Sequence, residues 1–259
     1  LDISSQEEIS SMISSIRPNI VINTAAFTNV DLAENHSKIA FSINKDGPML
    51  IAKSCNELDI TLFHFSTDYV FDGVKKSAYI PSDLTNPINE YGKSKLAGEI
   101  EIQKNCSNYL ILRSSWLFSA YKKNFLKTML NFSNSNQEIS IISDQLGTPT
   151  SACDLAMAVH LILPRLKNKD FKSGIYHFAG EQIFSWDEFA TEIFTQAIKI
   201  NLIKNMPTIK KIRSTDYNSV APRPLFSALD SSDSLCEFNI NPSDTFEAIE
   251  KVLTTLKDT

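Results

Sequence analysis

Short runs rich in β-branched and aromatic residues recur along the chain, at 19–23 (NIVIN), 60–66 (ITLFHFS) and 109–113 (YLILR). Runs of that length and composition read as buried strands. Between them lie stretches of helical periodicity. Residues 4–17 open with Ser5-x-x-Glu8, a capping-box pattern, and set Ile9, Met12, Ile13 and Ile16 at helical spacing before Pro18 ends the helix. Further helices are expected over 38–58 and 89–104. Strands separated by connections that long are joined by crossovers, so they run parallel, and a parallel sheet needs helices on both faces. The chain therefore reads as α/β, a doubly wound parallel sheet of the Rossmann type.

Beyond Trp116 the alternation loosens into a helix over 123–133, a strand over 139–142, a helix over 152–165, a strand over 174–178 and a helix over 185–200. Proline-rich turn signals follow at Met206-Pro207, Ala221-Pro222-Arg223-Pro224 and Asn241-Pro242. We expect an NAD(P)-binding Rossmann-like domain over 1–140 and a smaller substrate-binding lobe over 141–259, interleaved with the last sheet strands. With 25 basic residues scattered among 30 acidic ones, and a net charge of -5, nothing directs the chain to nucleic acid or to an anionic membrane. No apolar stretch approaches the roughly 18 to 20 residues that cross a bilayer. Cys55, Cys106, Cys153 and Cys236 form no CxxC pair, which argues against a disulfide framework or a zinc site and makes a reducing cytoplasm the default.

Chemistry concentrates in three places. Tyr91-Gly92-Lys93-Ser94-Lys95 sets a phenol and an ammonium four residues apart, on one face of a helix. A nearby ammonium stabilises phenolate, so this pair is expected to draw the Tyr91 pKa down toward neutrality; an ordinary exposed helix would carry the same spacing. Ser66-Thr67-Asp68-Tyr69-Val70-Phe71-Asp72-Gly73 stands at the end of the second strand, where open α/β sheets bind ligands. Its hydroxyls could equally serve the turn's own backbone. Asn23-Thr24-Ala25-Ala26-Phe27-Thr28, after the first strand, offers small residues that admit either an extended ligand or a closely packed helix.

These motifs, with Tyr91 to Glu99 (YGKSKLAGE), Arg113-Ser114-Ser115-Trp116, Asp144 to Thr150 (DQLGTPT) and Arg223-Pro224, resemble in order and spacing the dTDP-4-dehydrorhamnose reductases, extended short-chain dehydrogenases. The resemblance covers essentially the whole chain. It implies reduction of the 4-keto group of dTDP-4-dehydro-L-rhamnose by NADPH or NADH, the last step toward dTDP-L-rhamnose for surface polysaccharides such as O-antigen, and it allows a homodimer. It makes Tyr91 the general acid and, with Lys95, a cofactor contact, Lys95 lowering the Tyr91 pKa and holding the nicotinamide ribose. Thr67 would bond the same substrate oxygen, Asp68 a neighbouring sugar hydroxyl, and Trp116 would wall the sugar site. Asp2, Ile3, Ala25, Ala26 and Thr28 would line the adenosine and pyrophosphate side of the cofactor groove.

The departures also carry expectations. The family's opening strand and Gly-rich turn are expected upstream of Leu1, roughly 35 to 40 residues by the usual β-α-β-β beginning of such sheets, which would leave 20–23 as an exposed edge beside an apolar groove. Some family members bind magnesium through glutamates, and Cys153 stands where one of these belongs, so no metal is expected. Sugar-nucleotide dehydratases follow the strand-end Thr with an Asp-Glu pair, whereas Thr67 is followed by Asp68-Tyr69. An epimerase or another sugar-nucleotide reductase would share the Tyr/Lys pair, and a non-catalytic partner of methionine adenosyltransferase is the reading of a different class.

Overall fold

The computed structural model describes residues 1–133, 138–242 and 244–258. Strands β1 (Ile20–Asn23), β2 (Thr61–Thr67), β3 (Tyr109–Ser114) and β4 (Gly174–His177) form one parallel sheet in that order. Successive strand residues point to opposite faces, and here both faces are covered. On one side Leu62 and Ile111 join Ile9, Ile51 and Ile102 beneath helices α1 (Gln6–Ile16), α2 (Gly47–Glu57) and α3 (Glu90–Asn105). On the other, Phe63, Leu110 and Leu112 pack with Leu155 and Ile162 of α4 (Ala152–Lys167). This is the doubly wound architecture expected from the alternating runs.

Strand β1 forms the expected edge. It pairs with β2 from Ile20 opposite Thr61 to Asn23 opposite His64, and an apolar groove lined by Ile3, Ile13, Val21, Ile22 and Ala25 runs beside it.

A second apolar core holds Leu126 and Met129 of a helix Phe125–Ser133, Ile139 and Ile141 of a strand Ile139–Ile142, and residues of α5 (Trp186–Lys199) and α6 (Thr245–Lys257). The chain passes between the two cores repeatedly. Segment 116–133 joins the second, α4 and β4 return to the sheet, and α5 leaves it again.

Two elements differ from the sequence reading. The helix expected over 38–58 is broken into Ser37–Phe41, a π-helical turn Ser42–Asp46 and α2, which starts afresh at Gly47-Pro48. The wide turn carries Asn44 inward, where its side chain accepts from Phe27 N at 2.8 Å and donates to Phe27 O at 3.0 Å and Ser94 Oγ at 2.9 Å. Between the proline-marked turns lies a strand Ile209–Ile212, paired in parallel with Ile139–Ile142, and after the last of them comes α6, neither of which the turn signals revealed.

Candidate active site

The end of β2 turns sharply through Thr67, Asp68 and Tyr69. The Thr67 hydroxyl holds that turn: it accepts from Tyr69 N at 3.2 Å and donates to Asp68 Oδ1 at 3.0 Å. Helix α3 begins against the same turn. Asn89 caps it by accepting from Gly92 N at 2.7 Å, and its amide donates to Pro222 O at 2.9 Å. A Cβ at position 92 would collide with the Tyr69 carbonyl oxygen, so only glycine permits this approach. The close fit brings the Tyr91 hydroxyl within hydrogen-bonding reach of Thr67, and sets the Tyr91 ring edge-on to Tyr69 with centroids 6.0 Å apart.

Lys95, one turn along α3, is buried, and its Nζ donates to Phe65 O at 2.6 Å and lies 3.2 Å from His64 Nε2. Burial draws the Lys95 pKa down to about 8 against the pull of Glu99. Burial likewise pushes the Tyr91 phenol up to about 12, with the Thr67 bond working against it and Asp68 adding to it. The expected lowering of Tyr91 by Lys95 is thus corrected. Desolvation sets the direction, and Lys95 Nζ is engaged with the Phe65 carbonyl and the His64 ring rather than with the phenol. Burial also raises Asp68 to about 6, opposed by the hydroxyls of Ser227 and Thr67.

The residues expected to hold a nicotinamide cofactor lie along the strand ends. Ala25 and Thr28 are exposed and Ala26 half-buried, in a loop pinned through Phe27 by Asn44. Ile3 meets Ala25 in the groove beside β1, whereas Asp2 is exposed and accepts from Ser4 N and Ser4 Oγ. At the ends of β2 and β3 the hydroxyls of Ser66 and Ser114 are buried without a partner. Orphaned hydroxyls next to an open loop of small residues fit a polar, extended cofactor such as NADPH or NADH. Among the described residues no cluster of three or more His, Cys, Asp or Glu is placed to hold a metal, and no helix is long and apolar enough to cross a membrane.

A cavity of about 470 Å³ opens next to this corner, walled by Phe125, Met129, Gln145, Trp186, Tyr217 and Arg223. Arg223 links the two: it pairs with Asp31 at 3.0 Å and acts electrostatically on the Tyr69 hydroxyl, one ring away from Tyr91. The turn at Gly73, with φ at 82°, packs directly on Pro224 and so ties the 66–73 motif to the Arg223-Pro224 segment. Trp116 follows β3 with φ at 47° and stacks face to face on Trp186, centroids 3.5 Å apart and planes 3° from parallel. Trp186 Nε1 donates to Gln145 Oε1 at 3.2 Å. The sequence reading took Trp116 as the wall and passed over Trp186. In the structure Trp186 lines the cavity and Trp116 backs it. Its only signal was Ser185-x-x-Glu188, a capping box that reads as an ordinary helix start.

The family profile described as the RmlD substrate binding domain matches residues 1–258. The dTDP-4-dehydrorhamnose reductase of Aggregatibacter actinomycetemcomitans is 38% identical over 253 residues, 97% of this chain and 86% of that protein. The chain belongs to this reductase family. Among solved structures, the dTDP-4-dehydrorhamnose reductase of Clostridium acetobutylicum superposes with a TM-score of 0.90 at 32% identity, over 99% of this chain and 88% of that one. The reductase of Bacillus anthracis, solved in complex with NADP, gives 0.89 at 31% identity over 98% and 87%.

In this member of the reductase family a buried ion pair fixes the helix that carries Tyr91 and Lys95. Arg113 of β3 donates to Glu99 of α3 through Nε at 2.9 Å and Nη2 at 2.6 Å, and its guanidinium lies 5.1 Å from the Phe71 ring centre. Bidentate geometry of that kind holds orientation as well as charge. His177 lies on the far side of Arg113, kept neutral by burial and by that positive charge, with its pKa down to about 3.

Proposed function

We propose that this site reduces the 4-keto group of dTDP-4-dehydro-L-rhamnose to give dTDP-L-rhamnose, with NADPH or NADH as the hydride source, in the synthesis of surface polysaccharide. The observation that carries this reading is the meeting of Thr67, Tyr91 and Lys95 at one strand end, in a chain of the reductase family.

A bound nicotinamide would supply the hydride, and the residues supply the rest. As the carbonyl carbon is reduced its oxygen becomes an alkoxide, which needs a proton and donors already in place. Tyr91 is suited to give that proton: held at about 12, it stays a phenol at neutral pH and parts with its proton only to a stronger base. Thr67 donates a hydrogen bond to the same oxygen, and Asp68 accepts from a neighbouring sugar hydroxyl. Lys95, as an ammonium, steadies the phenolate left behind and holds the nicotinamide ribose. Ala25, Ala26, Thr28, Ile3 and Asp2 line the adenosine and pyrophosphate side. The cavity receives the nucleotide sugar, with the Trp116–Trp186 pair as its wall and Arg223 as the positive charge that a diphosphate requires. The four free thiols suit a cytoplasmic setting.

The test is NADPH oxidation in the presence of dTDP-4-dehydrorhamnose, which should depend on the substrate and be lost in Tyr91→Phe. Cofactor binding without turnover would point instead to a non-catalytic subunit.

A further inference from the structure

His64 is fully buried in the middle of β2, and both of its ring nitrogens face hydrogen-bond donors. Asn23 Nδ2 lies 3.0 Å from Nδ1, and Lys95 Nζ lies 3.2 Å from Nε2. The Asn23 carboxamide is fixed in this orientation by a group with no choice of role. Its Oδ1 accepts from the backbone N–H of Ala25 at 3.1 Å, and a backbone N–H only donates. Nδ1 of His64 is therefore an acceptor. Burial, with the Lys95 charge adding to it, holds the ring neutral, well below its ordinary pKa, and a neutral imidazole carries one N–H. That hydrogen sits on Nε2, aimed at Lys95. An ammonium has three donors and no lone pair, so it would oppose this N–H donor to donor. A neutral amine accepts the hydrogen and still donates to Phe65 O at 2.6 Å.

We propose that Asn23 and His64 are positioning residues that couple the proton on Lys95 to the loop at Ala25: as arranged in this structure Lys95 is a neutral amine, and it becomes an ammonium only as His64 switches tautomer and Asn23 turns its carboxamide over, releasing the Ala25 amide. The proton count balances. One proton enters from solvent, Lys95 goes from two N–H to three, and His64 exchanges Nε2–H for Nδ1–H without ever becoming an imidazolium. Nε2 then accepts from the ammonium, Nδ1–H donates to Asn23 Oδ1, and the N–H of Ala25 faces the loop opening.

The other groups around Lys95 leave this relay in control. Glu99 acts on Lys95 from one turn further along α3 but is itself held by Arg113. Tyr91 is one turn back, with Asp68 acting on it from the end of β2. Lys45 and Asp46, on the π-helical turn packed against α3, pair with each other on the surface. The inference rests on the proposed function only for the use Lys95 makes of its charge, and the first experiment reads the tautomer whether or not the protein turns over.

With histidine labelled by ¹⁵N, the four His side chains are resolved by NMR and His64 is assigned by its loss in His64→Phe. In the unmodified protein His64 should pass from Nδ1–H to Nε2–H as pH rises from about 6 to about 10, with no imidazolium stage near its ordinary value. A tautomer that stays constant across that range overturns the proposal. In Asn23→Asp a carboxylate accepts from both Nδ1–H and Ala25 N–H, so Nδ1–H should persist throughout and the alkaline limb of the kcat/KM profile should move up by about one pH unit or more. The same substitution in a His64→Phe background should move that limb clearly less. An equal shift there would mean that the added charge acts directly on Lys95, and the relay would be refuted.

Discussion

Around Lys95, side chains from β1, β2, β3 and α3 are buried and satisfy one another one by one: Asn23 on His64, His64 on Lys95, Arg113 on Glu99. The cavity beside Trp186 is walled by rings and aliphatic side chains with the Arg223 guanidinium and the Glu138 carboxylate among them, drawn from segments between 125 and 223. One region fixes protons and hydrogen bonds to fractions of an ångström; the other offers area and shape. The contrast implies that substitutions in the first should act on the chemical step and those in the second on affinity.

Tyr91→Phe is the severest way to press that division. It removes the transferred proton and leaves the ring and the sugar contacts in place, so kcat should fall by roughly 10³-fold with the KM for the sugar nucleotide within about threefold of the unmodified value. Comparable losses in kcat and affinity, read from steady-state kinetics, would erase the distinction. Gly92→Ala should come next. Its Cβ meets the Tyr69 carbonyl and forces α3 away from the strand-end turn, separating Tyr91 from Thr67. Misplacement on the order of 1 Å can cost about 10²-fold in rate, and circular dichroism should show the fold retained.

Trp186→Ala probes the other side. It should raise KM by about tenfold, the scale of one lost aromatic contact of 1 to 2 kcal/mol, while kcat stays within about threefold. If kcat falls instead, the cavity wall also orients the reacting carbon.

Acidity gives a milder test. In the proposed mechanism Lys95 works as the ammonium, so activity should be present at low pH and be lost as pH rises through about 8, well below the 10.5 of an ordinary lysine. A limb at the ordinary value would show that the buried corner does not tune it. The smallest effect concerns stability. Because the folded pKa lies below the unfolded one, the unfolded chain holds the extra proton between about 8 and 10.5, and stability rises with pH across that window. Lys95→Met should therefore raise the free energy of unfolding at pH 7 by on the order of 1 to 3 kcal/mol, with the gain shrinking above pH 10. Denaturant titrations at the two pH values measure this directly.

The same contrast explains what could be read from the sequence. Thr67, Tyr91 and Lys95 stood out because their spacing is local: a strand end, and two positions one helical turn apart. The parallel, helix-covered sheet likewise followed from the alternation of NIVIN, ITLFHFS and YLILR with helical stretches. His64 did not stand out, since a lone histidine in an apolar strand looks like any core residue until Asn23 and Lys95 are seen on either side of it. Tyr217 and Trp186 were equally silent, because a cavity assembled across a hundred residues has no period. Asn44 broke a helix that its apolar pattern ran straight through, and the sense of the Tyr91 shift reversed because burial leaves no mark on spacing.

The stacked indoles have an optical consequence. The chain contains two tryptophans, and both are in the Trp116–Trp186 stack at the cavity. All indole emission from this protein therefore originates at one place, and two rings 3.5 Å apart absorb as a coupled pair. A nucleotide that enters the cavity changes the surroundings of the entire signal rather than a fraction of it. The molecule thus carries an intrinsic fluorophore at the wall of the cavity, so that intensity and near-ultraviolet circular dichroism can follow occupancy of the cavity without a label and without turnover.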